Sequence, residues 1–96
     1  MIEIDDVQVE GKTFQFIRTE LGNAPLLILK GKNGYAMCGY LNIESAEKLG
    51  DSAVRVTGVK TLDDLLNAKI SDVTSSAQKR GIGKGQVVRD ILDRLA

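Results

Sequence analysis

The chain has 96 residues, 43% of them hydrophobic and 27% charged, and its 13 basic and 13 acidic side chains give a net charge of zero. This composition is ordinary for one folded domain and excludes intrinsic disorder, a membrane-spanning segment and a strongly basic nucleic-acid-binding protein. Histidine is absent and Cys38 is the single cysteine, which excludes Ser–His and Cys–His catalytic pairs, imidazole metal ligands and an internal disulfide. We therefore predict no catalytic residues, no metal and no cofactor. The acidic start of the chain is unlike a signal peptide, and we expect a cytoplasmic protein in a reducing compartment.

The first predicted element is a β-hairpin. Residues 7–9 and 13–17 flank Glu10-Gly11, a two-residue turn in which glycine supplies positive φ. Side chains alternate between the two faces of a strand, so the two phenylalanines of the second strand share one face. Ile17 breaks that pattern and places apolar surface on the other face.

A second hairpin is predicted next. Residues 26–29 are a continuous apolar run, and Asn33-Gly34 joins them to a strand at 35–41, because Asn-Gly between apolar runs is the strongest short hairpin signal. Neither strand alternates cleanly, which indicates that both faces of this hairpin are covered. The helices of the same chain can cover one face, and a second copy of the protein is the simplest cover for the other. We therefore predict that the hairpins at 2–41 form an oligomerisation region.

The second half is predicted to be mainly helical. Four short helices are expected, at 43–49, from Thr61 onward, at 74–80 and at 87–95. Gly50 and Gly81 end the first and the third, and Thr61 with Asp64 three residues later resembles a capping box. One further strand is expected at 53–57. The chain is thus predicted to be a single α+β domain, 1–96, built as a two-layer sandwich: a mostly antiparallel sheet with three or four short helices on one face.

Cys38 is the one side chain with intrinsic nucleophilicity. Free cysteine is among the most buried residue types and no histidine can activate it, so a packed core thiol is favoured over a catalytic one. Gly39 beside it can mark a bulge that exposes the thiol at a pocket. If the strands containing Cys38 and Val54 are neighbours, a small-molecule pocket gathers four candidate binding residues: Tyr35, Cys38, Arg55 and Lys60. Such a ligand-binding or enzymatic pocket is the alternative to a non-enzymatic, homo-oligomeric binding or scaffold domain, which we favour.

The glycine-rich run at 81–85 precedes the last predicted helix, where backbone N–H groups can bind a phosphate. It is not a P-loop, because no Ser or Thr follows its Gly-Lys pair and the spacer from the first glycine is too short. Together with its flanking helices it resembles a helix-hairpin-helix DNA-binding element. Its cations could contact phosphates: Lys79, Arg80, Lys84 and Arg89. Val87 and Asp90 depart from that motif and the chain has one copy of it, so a plain connection is favoured and DNA binding is the weaker alternative.

Three blocks of sequence, taken together, resemble the YunC-like family of small bacterial and archaeal proteins. They are the Met-Cys-Gly strand at 34–41, the segment 58–70 and the tail at 77–95. The resemblance spans residues 6–95 and implies a two-layer α/β fold whose N-terminal β region mediates tetramer formation, with no established activity and no accepted catalytic residues. The chain departs from the family at Val87-Val88, where a Ser or Thr followed by glycine is expected.

Overall fold

The computed structural model describes residues 2–96. Their strands form one sheet whose order follows the chain: β1 (Ile2–Val9), β2 (Lys12–Glu20), β3 (Pro25–Lys30), β4 (Tyr35–Met37), β5 (Ala53–Arg55) and β6 (Asp72–Val73). The helices are α1 (Ile43–Leu49), α2 (Leu62–Asn67), α3 (Ser75–Lys79) and a C-terminal 3₁₀ helix (Val88–Arg94). Neighbouring strands are antiparallel except β4 and β5, which run parallel because the chain crosses over through α1. The predicted α+β fold with a mostly antiparallel sheet is confirmed.

The first hairpin forms as predicted and is longer than expected. Glu10 and Gly11 have φ values of 52° and 79°, the pair of positive φ angles that a tight type I′ turn requires. Because this turn fixes the register, every residue of β1 pairs with one of β2, from Ile2 opposite Thr19 to Val9 opposite Lys12.

The main core lies on one face of the sheet. Phe14, Leu29 and Val54 project from the strands, and each has at most 1% of its surface exposed. Leu65 of α2 and Ile91 of the 3₁₀ helix pack against them in the same apolar cluster. Ala77 of α3 joins the cluster as well, so three helices cover this face, as the sequence predicted.

The opposite face is covered at one end. There Ala46 of α1 packs against Met37 and Ala53 in a second, smaller cluster. Leu49 is the last residue of α1, and its side chain is 77% exposed. The part of this face formed by β1, β2 and β3 carries no helix, and we call it the open face.

Several boundaries differ from the prediction. The strand expected at 35–41 ends at Met37, because Leu41 N–H donates to the Cys38 carbonyl oxygen at 3.2 Å and turns the chain. Strand β6 is two residues long, too short to produce a periodic pattern. The last helix is 3₁₀ rather than α, with Asp90 N–H donating to the carbonyl oxygen three residues earlier. Such tighter turns are common in short connecting and terminal segments.

The predicted helix caps are present. Thr61 Oγ1 accepts from Asp64 N–H at 3.1 Å, and the Asp64 carboxylate in turn accepts from Lys60 N–H at 3.1 Å. Gly50 and Gly81 follow α1 and α3 with φ values of 79° and 84°, in the left-handed region that glycine adopts without strain.

Candidate functional site

Cys38 directly follows β4 and extends its pairing with β3. Its N–H donates to the Leu27 carbonyl oxygen at 3.2 Å, and its Sγ accepts from Leu27 N–H at 3.3 Å. The residue is 3% exposed and belongs to the main core. The thiol is thus packed, as the favoured interpretation expected, and it also lies at the base of a surface cavity.

That cavity has a volume of about 210 Å³ and opens where β4 and β5 end. We call it the Cys38–Lys60 cavity. Its walls come from three segments: the start of β3, the turn after β4 and the loop after β5, with Pro25, Cys38, Gly39, Tyr40, Val59 and Lys60 among the lining residues. The contributions of Pro25 and Val59 could not be read from the sequence, because no local pattern brings these segments together.

Arg55 does not line this cavity, but its side chain binds the turn after β4, which does. Its Nη1 is 2.9 Å from the Asp72 carboxylate and its Nη2 donates to the Gly39 carbonyl oxygen at 3.0 Å. The Nε atom is buried and has no hydrogen-bond partner among residues 2–96. Arg55 therefore ties β5 to β6 and to the backbone directly after Cys38.

Tyr35 is placed differently again, beside α1 on the opposite side of the sheet from the main core. Its hydroxyl donates to the Asp51 carboxylate at 2.8 Å. Burial, together with this hydrogen bond and the negative charge of Asp51, raises the pKa of Tyr35 to about 12. Of the four candidate binding residues, the fold brings Cys38 and Lys60 together and leaves Tyr35 and Arg55 outside their cavity. Their binding roles stay predictions.

A row of apolar side chains runs across four strands, from the open face to Met37, which lies beneath α1. Ile4 pairs with Ile17, Ile17 with Ile28, and Ile28 with Met37. We call these four residues the isoleucine row. Directly paired residues project from the same face, so the row is continuous. Between it and α1 lies a groove of about 490 Å³, to which Leu49 also contributes.

The glycine-rich turn at 81–85 uses several of its backbone donors internally. Gly83 N–H donates to Gln86 Oε1 at 2.6 Å, and Gly85 N–H donates to the Ile70 carbonyl oxygen at 2.8 Å. Ile82 N–H donates to the Ala77 carbonyl oxygen. These groups are therefore not directed at a phosphate, and the helix after the turn is 3₁₀. The geometry favours a plain connection over a DNA-binding hairpin.

Two further properties of residues 2–96 concern metal ions and membranes. No group of three or more His, Cys, Asp or Glu side chains in this range is arranged to hold a metal ion. No helix formed by the same residues is both long enough and apolar enough to cross a membrane.

Comparison with known proteins places the chain in a family. Residues 37–95 match the family described as Domain of unknown function (DUF1805). The chain belongs to DUF1805. The chain is also 31% identical to the uncharacterized protein YunC of Bacillus subtilis (strain 168), over 96% of its own length and 95% of YunC. The resemblance to YunC-like proteins is confirmed.

A solved structure has the same fold. The protein of unknown function TA1206 from Thermoplasma acidophilum is 55% identical to this chain and superposes with a TM-score of 0.96, covering 100% of this chain and 94% of TA1206. YunC is described as uncharacterized and TA1206 as a protein of unknown function. Neither description names an activity, a substrate or a partner.

Proposed function

We propose that this DUF1805 protein is a small homo-oligomeric binding or scaffold domain whose copies pack through the open face of the sheet. The observation that supports this best is the isoleucine row together with its exposure. Ile4 is 59% exposed and Ile2, two residues away on the same face, is 67% exposed. Exposed apolar surface of this kind, when contiguous, marks interaction sites in soluble proteins.

The surroundings of the isoleucine row suit an interface between proteins. The next row of the same face is polar and consists of Asp6, Gln15 and Lys30. An apolar centre with a polar edge is the usual anatomy of such an interface. The tetramer implied by the family resemblance is in keeping with this arrangement.

The free edge of β1 is a less suitable contact. It carries the acidic residues Glu3, Asp5 and Asp6 within one short stretch. Two such edges placed side by side would bring like charges together, and charged side chains are a common means of blocking edge-to-edge strand pairing. We therefore propose that copies associate face to face rather than by extending the sheet.

Sedimentation velocity on the whole chain at micromolar concentration tests the proposal. Ile4→Lys places a charge in the isoleucine row at a position that is already exposed, so the fold should persist. Gln78→Lys adds the same charge to an exposed position on α3 and is the matched control. We expect an oligomer for the wild type and for Gln78→Lys, and a shift to monomer for Ile4→Lys.

Circular dichroism of each variant shows whether the fold is kept. A wild-type chain that sediments as a monomer contradicts the proposal. If Ile4→Lys stays folded and fully oligomeric, the interface does not depend on the isoleucine row, and the face-to-face arrangement is contradicted.

A further inference from the structure

The Cys38–Lys60 cavity occupies a distinctive place in the sheet. Strands β4 and β5 are the parallel pair, and their carboxyl ends lie at Met37 and Arg55. The cavity is formed by the segments that leave these two ends, together with the start of β3. In open α/β sheets, ligands bind in the crevice outside the carboxyl ends of the strands, and this cavity has the corresponding position at the parallel pair β4 and β5.

The lining of the cavity combines an apolar body with few polar groups. Ala24, Pro25 and Val59 supply aliphatic surface, and the Cys38 side chain adds a weakly polar base. The N–H groups of Gly39 and Gly58 donate to no acceptor within the described chain. A volume of about 210 Å³ is below the roughly 300–1,000 Å³ of sites for drug-sized ligands, so the cavity suits a small metabolite.

The charge at the cavity is positive and comes from one side chain. Lys60 lines the cavity, is exposed, and forms no ion pair within 4.0 Å among the charged groups of residues 2–96. The neighbouring Arg18 already has partners. Its Nη2 lies 2.9 Å from the Glu20 carboxylate, and its Nε donates to the Lys60 carbonyl oxygen. Asp64 is engaged by the Lys60 amide. The ammonium of Lys60 is therefore the available cation at this cavity.

We propose that the Cys38–Lys60 cavity binds a small organic molecule with an apolar body and one carboxylate. Lys60 pairs with the carboxylate, and the N–H groups of Gly39 and Gly58 add hydrogen bonds. Pro25, Val59 and the Cys38 thiol contact the apolar body of the ligand. Arg18 and Arg55 are already paired with Glu20 and Asp72, and one free lysine suits a monoanion better than a phosphate, which proteins usually hold with several cations or a bidentate guanidinium. This site is separate from the open face, so it does not depend on the proposed oligomer.

Binding is tested by titrating the ¹⁵N-labelled full chain with hexanoate and following its amide resonances. Hexanamide and hexylamine are the matched neutral and cationic probes. We expect hexanoate to shift the amides of Gly39 and Gly58 in a saturable way, and to slow the alkylation of Cys38 by iodoacetamide. Hexanamide should bind about tenfold more weakly, since a charge-assisted contact of this kind is worth about that factor, and hexylamine should not bind there.

Lys60→Met keeps most of the length of the side chain and removes its charge. Lys84→Met is the matched control, since Lys84 is exposed and does not line the cavity. We expect Lys60→Met to weaken hexanoate binding about tenfold and Lys84→Met to leave it unchanged. Three results would each overturn the assignment: no saturable shift at Gly39 and Gly58, equal binding of hexanoate and hexanamide, or unaltered hexanoate binding by Lys60→Met.

Discussion

The turn between β3 and β4 offers a sharp test of the fold, because the C-terminal end of the chain packs directly on it. Asn33 N–H donates to the Leu95 carbonyl oxygen at 2.9 Å, and Gly31 N–H donates to the Gly34 carbonyl oxygen at 2.8 Å. A methyl group added at Gly31 would overlap the carbonyl group of Leu95 and the ring of Phe14. The ring could adjust, but the Leu95 carbonyl belongs to the backbone and cannot rotate away.

Gly31→Ala therefore has to distort the turn and displace the end of the chain from it. Losing the two backbone hydrogen bonds costs about 1 kcal/mol each, and the residual overlap adds at least about 1 kcal/mol. The sum, about 3 kcal/mol, corresponds to a fall in melting temperature of roughly 12–24 °C for a domain of this size.

Thermal unfolding followed by circular dichroism, at one fixed protein concentration, measures the effect. Gly22→Ala is the control, because a methyl group there meets nothing within 4 Å and Gly22 does not have positive φ. We expect Gly22→Ala to melt with the wild type or slightly above it, since alanine restricts the unfolded chain. If Gly31→Ala melts together with Gly22→Ala, the close approach of Leu95 to the turn is refuted.

Two further predictions concern buried or partly buried hydroxyl groups. Thr74 Oγ1 donates to the Asp51 carbonyl oxygen at 2.7 Å and accepts from two backbone N–H groups, so Thr74→Val should lower the free energy of unfolding by about 2–3 kcal/mol. Thr61→Val removes one exposed helix cap and should lower the free energy of unfolding by about 1 kcal/mol. If urea denaturation shows equal losses for Thr74→Val and Thr61→Val, the greater number of hydrogen bonds made by Thr74 does not matter for stability, which contradicts the prediction. For Tyr35, burial and Asp51 favour the neutral phenol in the folded state, so this contribution to stability is complete below the ordinary tyrosine pKa of about 10 and is lost as the pH rises through about 12. In a Tyr40→Phe background, phenolate absorbance should titrate at lower pH after Asp51→Asn, and an unmoved titration would refute the role of that carboxylate.

The local pattern of the sequence determined most of the elements. Glu10-Gly11 and Asn33-Gly34 lie in the turns of the two hairpins, and Thr61, Gly50 and Gly81 mark helix ends, as predicted. These signals succeed because they depend on the φ angles and hydrogen bonds of a few consecutive residues. The absence of histidine, a property of the sequence alone, likewise excludes Ser–His and Cys–His catalytic pairs and imidazole metal ligands.

The tertiary structure alone decided which residues meet. Strand β6 forms because β5 offers an edge for two residues to pair with, and α1 reaches the far side of the sheet because the β4–β5 crossover carries it there. The same parallel pair brings Cys38 and Lys60, which are distant in sequence, to one cavity. Arg55 and Tyr35 lie outside that cavity and bind Gly39 and Asp51 instead. Long-range contacts of this kind depend on strand order and crossover direction, which no window of the sequence contains.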